Sequence, residues 1–145
     1  MAITVSKVEV WAGEIHDQPG GLAGVLGALA DAGVNLDCVI ARRQAERPGT
    51  GVVFLTPVKG KKAQDAARGA SLGVAKTVPT LRVEGSDRPG LGHKLMAAIA
   101  EAGINVRGVS AMRLGNKFVA YLGFDSNADA TKAAKALKAL DKKRK

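Results

Sequence analysis

Thiols, aromatics and acidic groups are all scarce in this chain. Cys38 is the single cysteine among 145 residues, which excludes an intrachain disulfide framework and any site built on several thiolates. Aromatic residues make up 3%, leaving little for stacking platforms of the kind that hold single-stranded nucleic acid. No apolar run approaches the ~18 residues needed to span a membrane. The start, Met1-Ala2-Ile3-Thr4-Val5-Ser6-Lys7, has no basic-then-apolar signal pattern, so a soluble cytoplasmic protein is expected. Acidic residues number 13 against 22 lysines and arginines, a formal charge of +9. That excess is local. Between Lys132 and Lys145 seven basic residues meet only Asp141, so this stretch carries +6. Hydrophobic residues at 46% and charged residues at 24% are ordinary for a globular protein with a core.

What the chain has in abundance is glycine, 18 residues, and an internal repeat. Slid by 70 positions, Glu14-Ile15-His16-Asp17-Gln18-Pro19-Gly20 falls on Glu84-Gly85-Ser86-Asp87-Arg88-Pro89-Gly90. Ala28-Leu29-Ala30-Asp31-Ala32-Gly33-Val34-Asn35-Leu36 falls on Ala98-Ile99-Ala100-Glu101-Ala102-Gly103-Ile104-Asn105-Val106. The match runs on without a gap to Val39/Val109, Ala41/Ala111 and Arg43/Arg113. A duplication dividing near Pro79 accounts for this: a first unit at 1–78, a second at 79–140, and a basic tail at 141–145.

Both units read alike. Trp11–Ile15 and Leu81–Glu84 are predicted strands that end at an Asp-x-Pro-Gly turn. Leu22, Val25, Leu26 and Leu29 recur at helical spacing and end at Gly33; Leu91, Leu95, Met96 and Ile99 do the same before Gly103. Leu36/Cys38/Ile40 and Val106/Gly108/Ser110/Met112 are the alternating positions of a following strand. Further strands are predicted at Thr50–Val58 and Lys117–Phe124, and helices at 61–72 and 128–140. Val74–Val78 supplies a last strand for the first unit, and the second unit ends in its helix. The order is β-α-β-β-α-β, then β-α-β-β-α. This is an α+β chain of two ferredoxin-like sandwiches, antiparallel sheets with helices on one face, the second copy lacking its last strand. Val8, Val10, Val39, Val53 and Val109 fall out of phase with the expected core, so the opposite sheet face is expected to be covered.

The pairs Asp17-Gln18-Pro19-Gly20-Gly21-Leu22 with Ala32-Gly33-Val34-Asn35, and Asp87-Arg88-Pro89-Gly90-Leu91 with Ala102-Gly103-Ile104-Asn105, resemble two tandem ACT domains. These are small β-α-β-β-α-β modules that bind amino acids and regulate metabolic enzymes. The resemblance covers nearly the whole chain. In that family the position of Asp17/Asp87 is often Asn or Asp, and that of Asn35/Asn105 often contacts the effector. It implies a ligand site at Asp17, Gln18, Gly20, Gly21 and Asn35 in one copy and at Asp87, Arg88, Gly90, Leu91 and Asn105 in the other. It also implies a ligand held at an interface between domains. The sheet edge left open by the missing last strand predicts pairing between chains or between copies, hence a homodimer or higher oligomer.

The chemistry points the same way. A helix N-terminus offers free N–H groups and a positive dipole end to a carboxylate. Gly20 or Gly90 lets a ligand approach the backbone. Asp17 or Asp87 accepts from an ammonium group, and Asn35 or Asn105 adds an amide that donates and accepts. Together they describe a free α-amino acid. The same residues also fit a plain turn, with Asp as a cap and Asn ending the helix.

Other function classes find less support. No nucleophile–base pair, phosphate loop or metal-ligand cluster is present, so neither catalysis nor a metal or cofactor is expected. A metal chaperone of this topology needs Cys-x-x-Cys, which one cysteine cannot supply. An RNA-binding module needs aromatics on two central strands; Phe118 and Tyr121 fall on opposite faces of one. Nucleic acid and membrane are therefore not expected partners. The expectation is a non-catalytic regulatory protein that senses an amino acid. The alternative is a detached regulatory subunit docking on a biosynthetic enzyme, as ACT modules do in acetolactate synthase, without a ligand site of its own.

Overall fold

The computed structural model describes residues 2–142. Residues 143–145 of the expected basic tail lie outside them, and 141–142 continue the last helix. Among the described residues the order is β1 (Ile3–Val8), β2 (Trp11–His16), α1 (Gly21–Asp31), β3 (Cys38–Arg43), β4 (Thr50–Thr56), α2 (Lys61–Gly69), β5 (Gly73–Val74), β6 (Thr80–Ser86), α3 (Leu91–Glu101), β7 (Gly108–Leu114), β8 (Lys117–Gly123) and α4 (Asn127–Lys142). Two four-stranded antiparallel sheets result, ordered β3-β4-β2-β5 and β1-β6-β8-β7. The chain is α+β with ferredoxin-like units.

One compact unit is Glu9–Ala75; the other joins Met1–Val8 to Lys76–Lys145. This differs from a division at 78/79, and β1 is the reason. Among the described residues the second copy has no last strand of its own, and β1 occupies the vacant edge, antiparallel to β6 with Val5 opposite Val83 and Lys7 opposite Leu81. Val5 enters the core of that unit and Ile3 packs against it, while Thr4 and Ser6 are exposed. Apolar side chains at every second position drive the strand onto the sheet.

In the Glu9–Ala75 unit the core is built around Trp11, Leu29, Val53 and Leu55. Trp11 is opposite Leu55, and Gly13 is opposite Val53. The Arg68 guanidinium lies 5.4 Å from the centre of the Trp11 ring, where cation–π attraction adds to the packing. Helix α1 closes where the Ala32 and Val34 amides donate to the Leu29 carbonyl and Gly33 donates to Ala30. The last strand is shorter than expected, two residues at Gly73–Val74.

In the other unit Leu81, Val83, Leu95, Ile99, Leu122, Phe124 and Leu137 form the centre of the core. Helix α4 begins under Ser126, whose hydroxyl accepts from the Asp129 amide at 3.0 Å, with Asp129 in the first turn facing the positive dipole end. On the face away from the helices, Arg82 donates to Glu84 at 2.8 Å and to the Tyr121 hydroxyl at 3.2 Å, and Lys117 donates to Glu84 at 3.2 Å. The hydrogen bond from Arg82, then that from Lys117, holds the Glu84 carboxyl below its usual range.

The strand phase differs from the sequence expectation. Val39 is opposite Leu55 and Val109 opposite Leu122, so both valines lie on the helix-covered face. Val53 is fully buried. Cys38 and Ile40 fall on the other face. Val39 and Val109 stay exposed because β3 and β7 are edge strands.

Candidate functional site

Each unit carries the same constellation at the end of its first repeat strand. After His16 the chain turns through Asp17-Gln18-Pro19-Gly20 into α1. The turn is tied down by Gln18 N–H donating to His16 (3.0 Å), Gly21 to Gln18 (3.0 Å) and Asp17 to Gly49 of the β3–β4 hairpin (3.0 Å). In the other unit Leu91 donates to Arg88 (3.3 Å) and Asp87 to Asn116 of the β7–β8 hairpin (2.8 Å). Gly20 and Gly90 are the N-cap residues, at φ 85° and 83°, a left-handed conformation that glycine adopts without strain. No side chain caps either helix, and neither has an acidic residue in its first turn. The Gly21 and Leu91 amides are taken up by the turn carbonyls, but no side chain compensates the dipole end of either helix, unlike that of α4.

The turn aspartates are not caps. Asp17 Oδ2 accepts from Arg43 Nε at 2.5 Å, and Asp87 Oδ2 lies 3.9 Å from Arg113 Nη1. Arg43 ends β3, and Arg113 occupies the equivalent place in β7. Both arginine side chains are at least 70% exposed and both aspartates about 30%, so these are wet ion pairs, each worth roughly 0–1 kcal/mol and easily exchanged. In the Glu9–Ala75 unit a cleft of about 260 Å³ opens here, lined by Ile15, His16, Asp17, Gln18, Leu22, Ala41, Arg42, Arg43 and Gly51. It offers a guanidinium to a carboxylate, a carboxylate to an ammonium group, and an apolar wall at Ile15 and Leu22. A small zwitterion matches that set.

Not every expected residue is at this place. Asn35 and Asn105 lie exposed in the links before β3 and β7. Cys38 pairs with Thr56 and Arg43 with Gly51, so Asn35 sits beyond the far end of the sheet. Five strand steps of about 3.4 Å put it more than about 17 Å from the turn, and the geometry repeats for Asn105. Within one unit the asparagines do not meet the aspartates. Leu91 points into the core, 2% exposed; only its backbone belongs to the turn. At the matching position, a Cβ on Gly21 would collide with the His16 carbonyl. Gln18 is exposed and Arg88 half-buried. The arginines were the residues missed, and their signal was the Arg43/Arg113 match in the repeat.

Among the described residues no group of three or more His, Cys, Asp or Glu is placed to hold a metal ion. None of their helices is long and apolar enough to cross a membrane.

Residues 80–145 match the ACT domain. No curated protein matches the chain. A solved protein of Bacteroides thetaiotaomicron superposes with TM-score 0.76 at 18% identity, covering 94% of this chain and 90% of that one. The ligand-free regulatory subunit of aspartate kinase from Thermus thermophilus gives 0.64 at 20% identity, covering 98% and 96%. Aspartokinase III of E. coli, in complex with lysine and aspartate, gives 0.57 at 15% identity, covering 97% of this chain and 33% of that one. At these identities the likeness is one of fold.

Proposed function

We propose that this chain is a non-catalytic regulatory protein of the cytoplasm, two ACT modules in tandem, that binds a free amino acid and controls amino-acid metabolism. The observation that carries the proposal is the duplicated pair, Asp17 with Arg43 and Asp87 with Arg113, beside uncapped helix N-termini. An α-amino acid enters by exchange: its carboxylate takes the arginine and the first-turn amides, and its ammonium takes the released aspartate. Gln18 and Arg88 flank the side chain, and Gly20, Gly21, Gly90 and the Leu91 backbone let the ligand close on the turn. Asn35 and Asn105 act from the module of a neighbouring copy in a homodimer or larger assembly. Binding then favours the assembled state by the difference in affinity between states. The ACT match over 80–145 and the fold shared with an aspartate kinase regulatory subunit support this reading.

One observation favours a second reading. Each aspartate already has an arginine partner, which also suits a docking subunit that holds its turns rigid and takes no ligand.

A thermal-shift screen of the full chain against the twenty amino acids at millimolar concentration separates the two. A ligand of the folded state adds RT ln(1 + [L]/Kd), about 2.7 kcal/mol at a hundredfold excess. A selective shift that Asp17→Ala and Asp87→Ala reduce supports the sensor. No shift with any amino acid refutes it, and the docking subunit remains.

A further inference from the structure

Helix α4 runs beside β1 and leaves a groove of about 510 Å³ along the outer side of that strand. Val5 and Ala134 form its apolar floor, and Lys7, Lys135 and Lys138 line it, with no acidic residue among the lining groups. Ala134, Lys135, Lys138 and Ala139 recur at three- and four-residue steps, so one row of the helix faces the groove. Lys7 Nζ is held toward α4 by donating to Thr131 Oγ1 at 2.7 Å. β1 pairs with β6 on one side and is a sheet edge on the other. The Ile3 amide there already donates to a carboxylate oxygen, Asp141 Oδ1, at 3.3 Å.

We propose that this groove docks an extended acidic segment of a partner protein. The segment adds to β1 as a fifth strand and sets alternate carboxylates on the helix side, against Lys7, Lys135 and Lys138, while its intervening side chains fall on the other face of the sheet, beside the exposed Thr4 and Ser6. An unpaired strand edge supplies main-chain hydrogen bonds to an incoming strand, and side chains at every second position supply selectivity.

The charge pattern decides the occupant. Among the described residues the edge strands are β1, β3, β7 and the two-residue β5. β1 carries Lys7, β3 ends in Arg42-Arg43 and β7 carries Arg113, and none of the three has an acidic residue. A second copy would therefore set basic strand against basic groove, and like charges across an interface cost affinity. Nucleic acid fits less well, because no aromatic side chain lines the groove and stacking would be absent.

The test uses the full chain and a fluorescein-labelled peptide of alternating glutamate and valine. Saturable binding is expected, weakened about tenfold or more in the double variant Lys135→Glu/Lys138→Glu. Both lysines are exposed, and circular dichroism checks that the variant is folded. N-methylation of the peptide backbone, at the glutamates in one probe and at the valines in another, should abolish binding in one of the two. The proposal is overturned if the parent peptide does not bind, if the double variant binds it equally well, or if both methylated probes bind like the parent. Tighter binding of oligothymidylate with the same loss in the double variant overturns it in favour of nucleic acid.

Discussion

Replacing Val5 with alanine tests whether the first strand belongs to the sheet of residues 80–123. Val5 is 9% exposed and stands opposite Val83 in the core of that unit. Val5→Ala removes two methyl groups, worth about 0.8 kcal/mol each for transfer, plus a small term for the space left behind, about 2 kcal/mol in all. At 1.4 kcal/mol per factor of ten, amides that exchange through opening of this unit should exchange about 25-fold faster. Peptide-resolved hydrogen exchange by mass spectrometry reads this directly. Faster exchange is expected in peptides covering β6, β8 and α4, because β1 pairs along β6 from Ile3 to Val8 and α4 packs over the same core. Peptides covering β2 and β4 should change less. Acceleration confined to residues 11–16 and 50–56 would refute the placement of β1.

Three further outcomes follow from the turns and the charge network. Gly90→Ala should cost about 1–2 kcal/mol in urea unfolding, since φ is 83° and a Cβ there meets nothing within 4 Å, so the cost is backbone strain alone. Gly21→Ala should cost more, because its Cβ meets the His16 carbonyl; equal losses in the two variants would contradict this account of the turns. Glu84, whose carboxyl is held below its usual range by Arg82 and then Lys117, stabilises the fold above the ordinary carboxylate range, and that contribution disappears as pH falls through its lowered value. The melting temperature of Glu84→Gln should therefore fall less than that of the parent on acidification from about pH 5; parallel profiles would remove Glu84 from the network.

The repeat made most of the fold legible. Asp-x-Pro-Gly turns, helical apolar spacing and closing glycines are local signals, and α1, α3 and the strands before them lie where those signals put them. Neither β1 nor its home was legible: the first strand expected was Trp11–Ile15, because Ile3 and Val5 alone are too short an apolar alternation to mark a strand, and only the edge left open by the second copy gives it a partner. The phase of β3 and β7 was lost for a related reason. Cys38 and Ile40 on one face and Val39 and Ala41 on the other are all apolar or small, so the alternation is ambiguous until register with β4 fixes it. For the candidate site, the two Asp-x-Pro-Gly turns are local signals in the sequence. It brought Asn35 and Asn105 to the same place as the aspartates, whereas a helix following a strand runs back along it and delivers its end to the opposite end of the strands. It passed over Arg43 and Arg113 because the ion pairs join residues 26 positions apart, which only the shared match in the repeat connects.

The central claim is that an amino acid binds at the duplicated turns. Its most direct test is a ¹H–¹⁵N correlation spectrum of the labelled chain titrated with each of the twenty amino acids, because chemical shifts report weak binding and locate it. One or a few chemically related amino acids should move the amides of Asp17, Gln18, Gly20 and Gly21, of the equivalent turn at 87–91, or of both, together with the side-chain Nε–H of the paired arginine. Spectra that no amino acid changes, or changes that leave both turns still, would contradict the account.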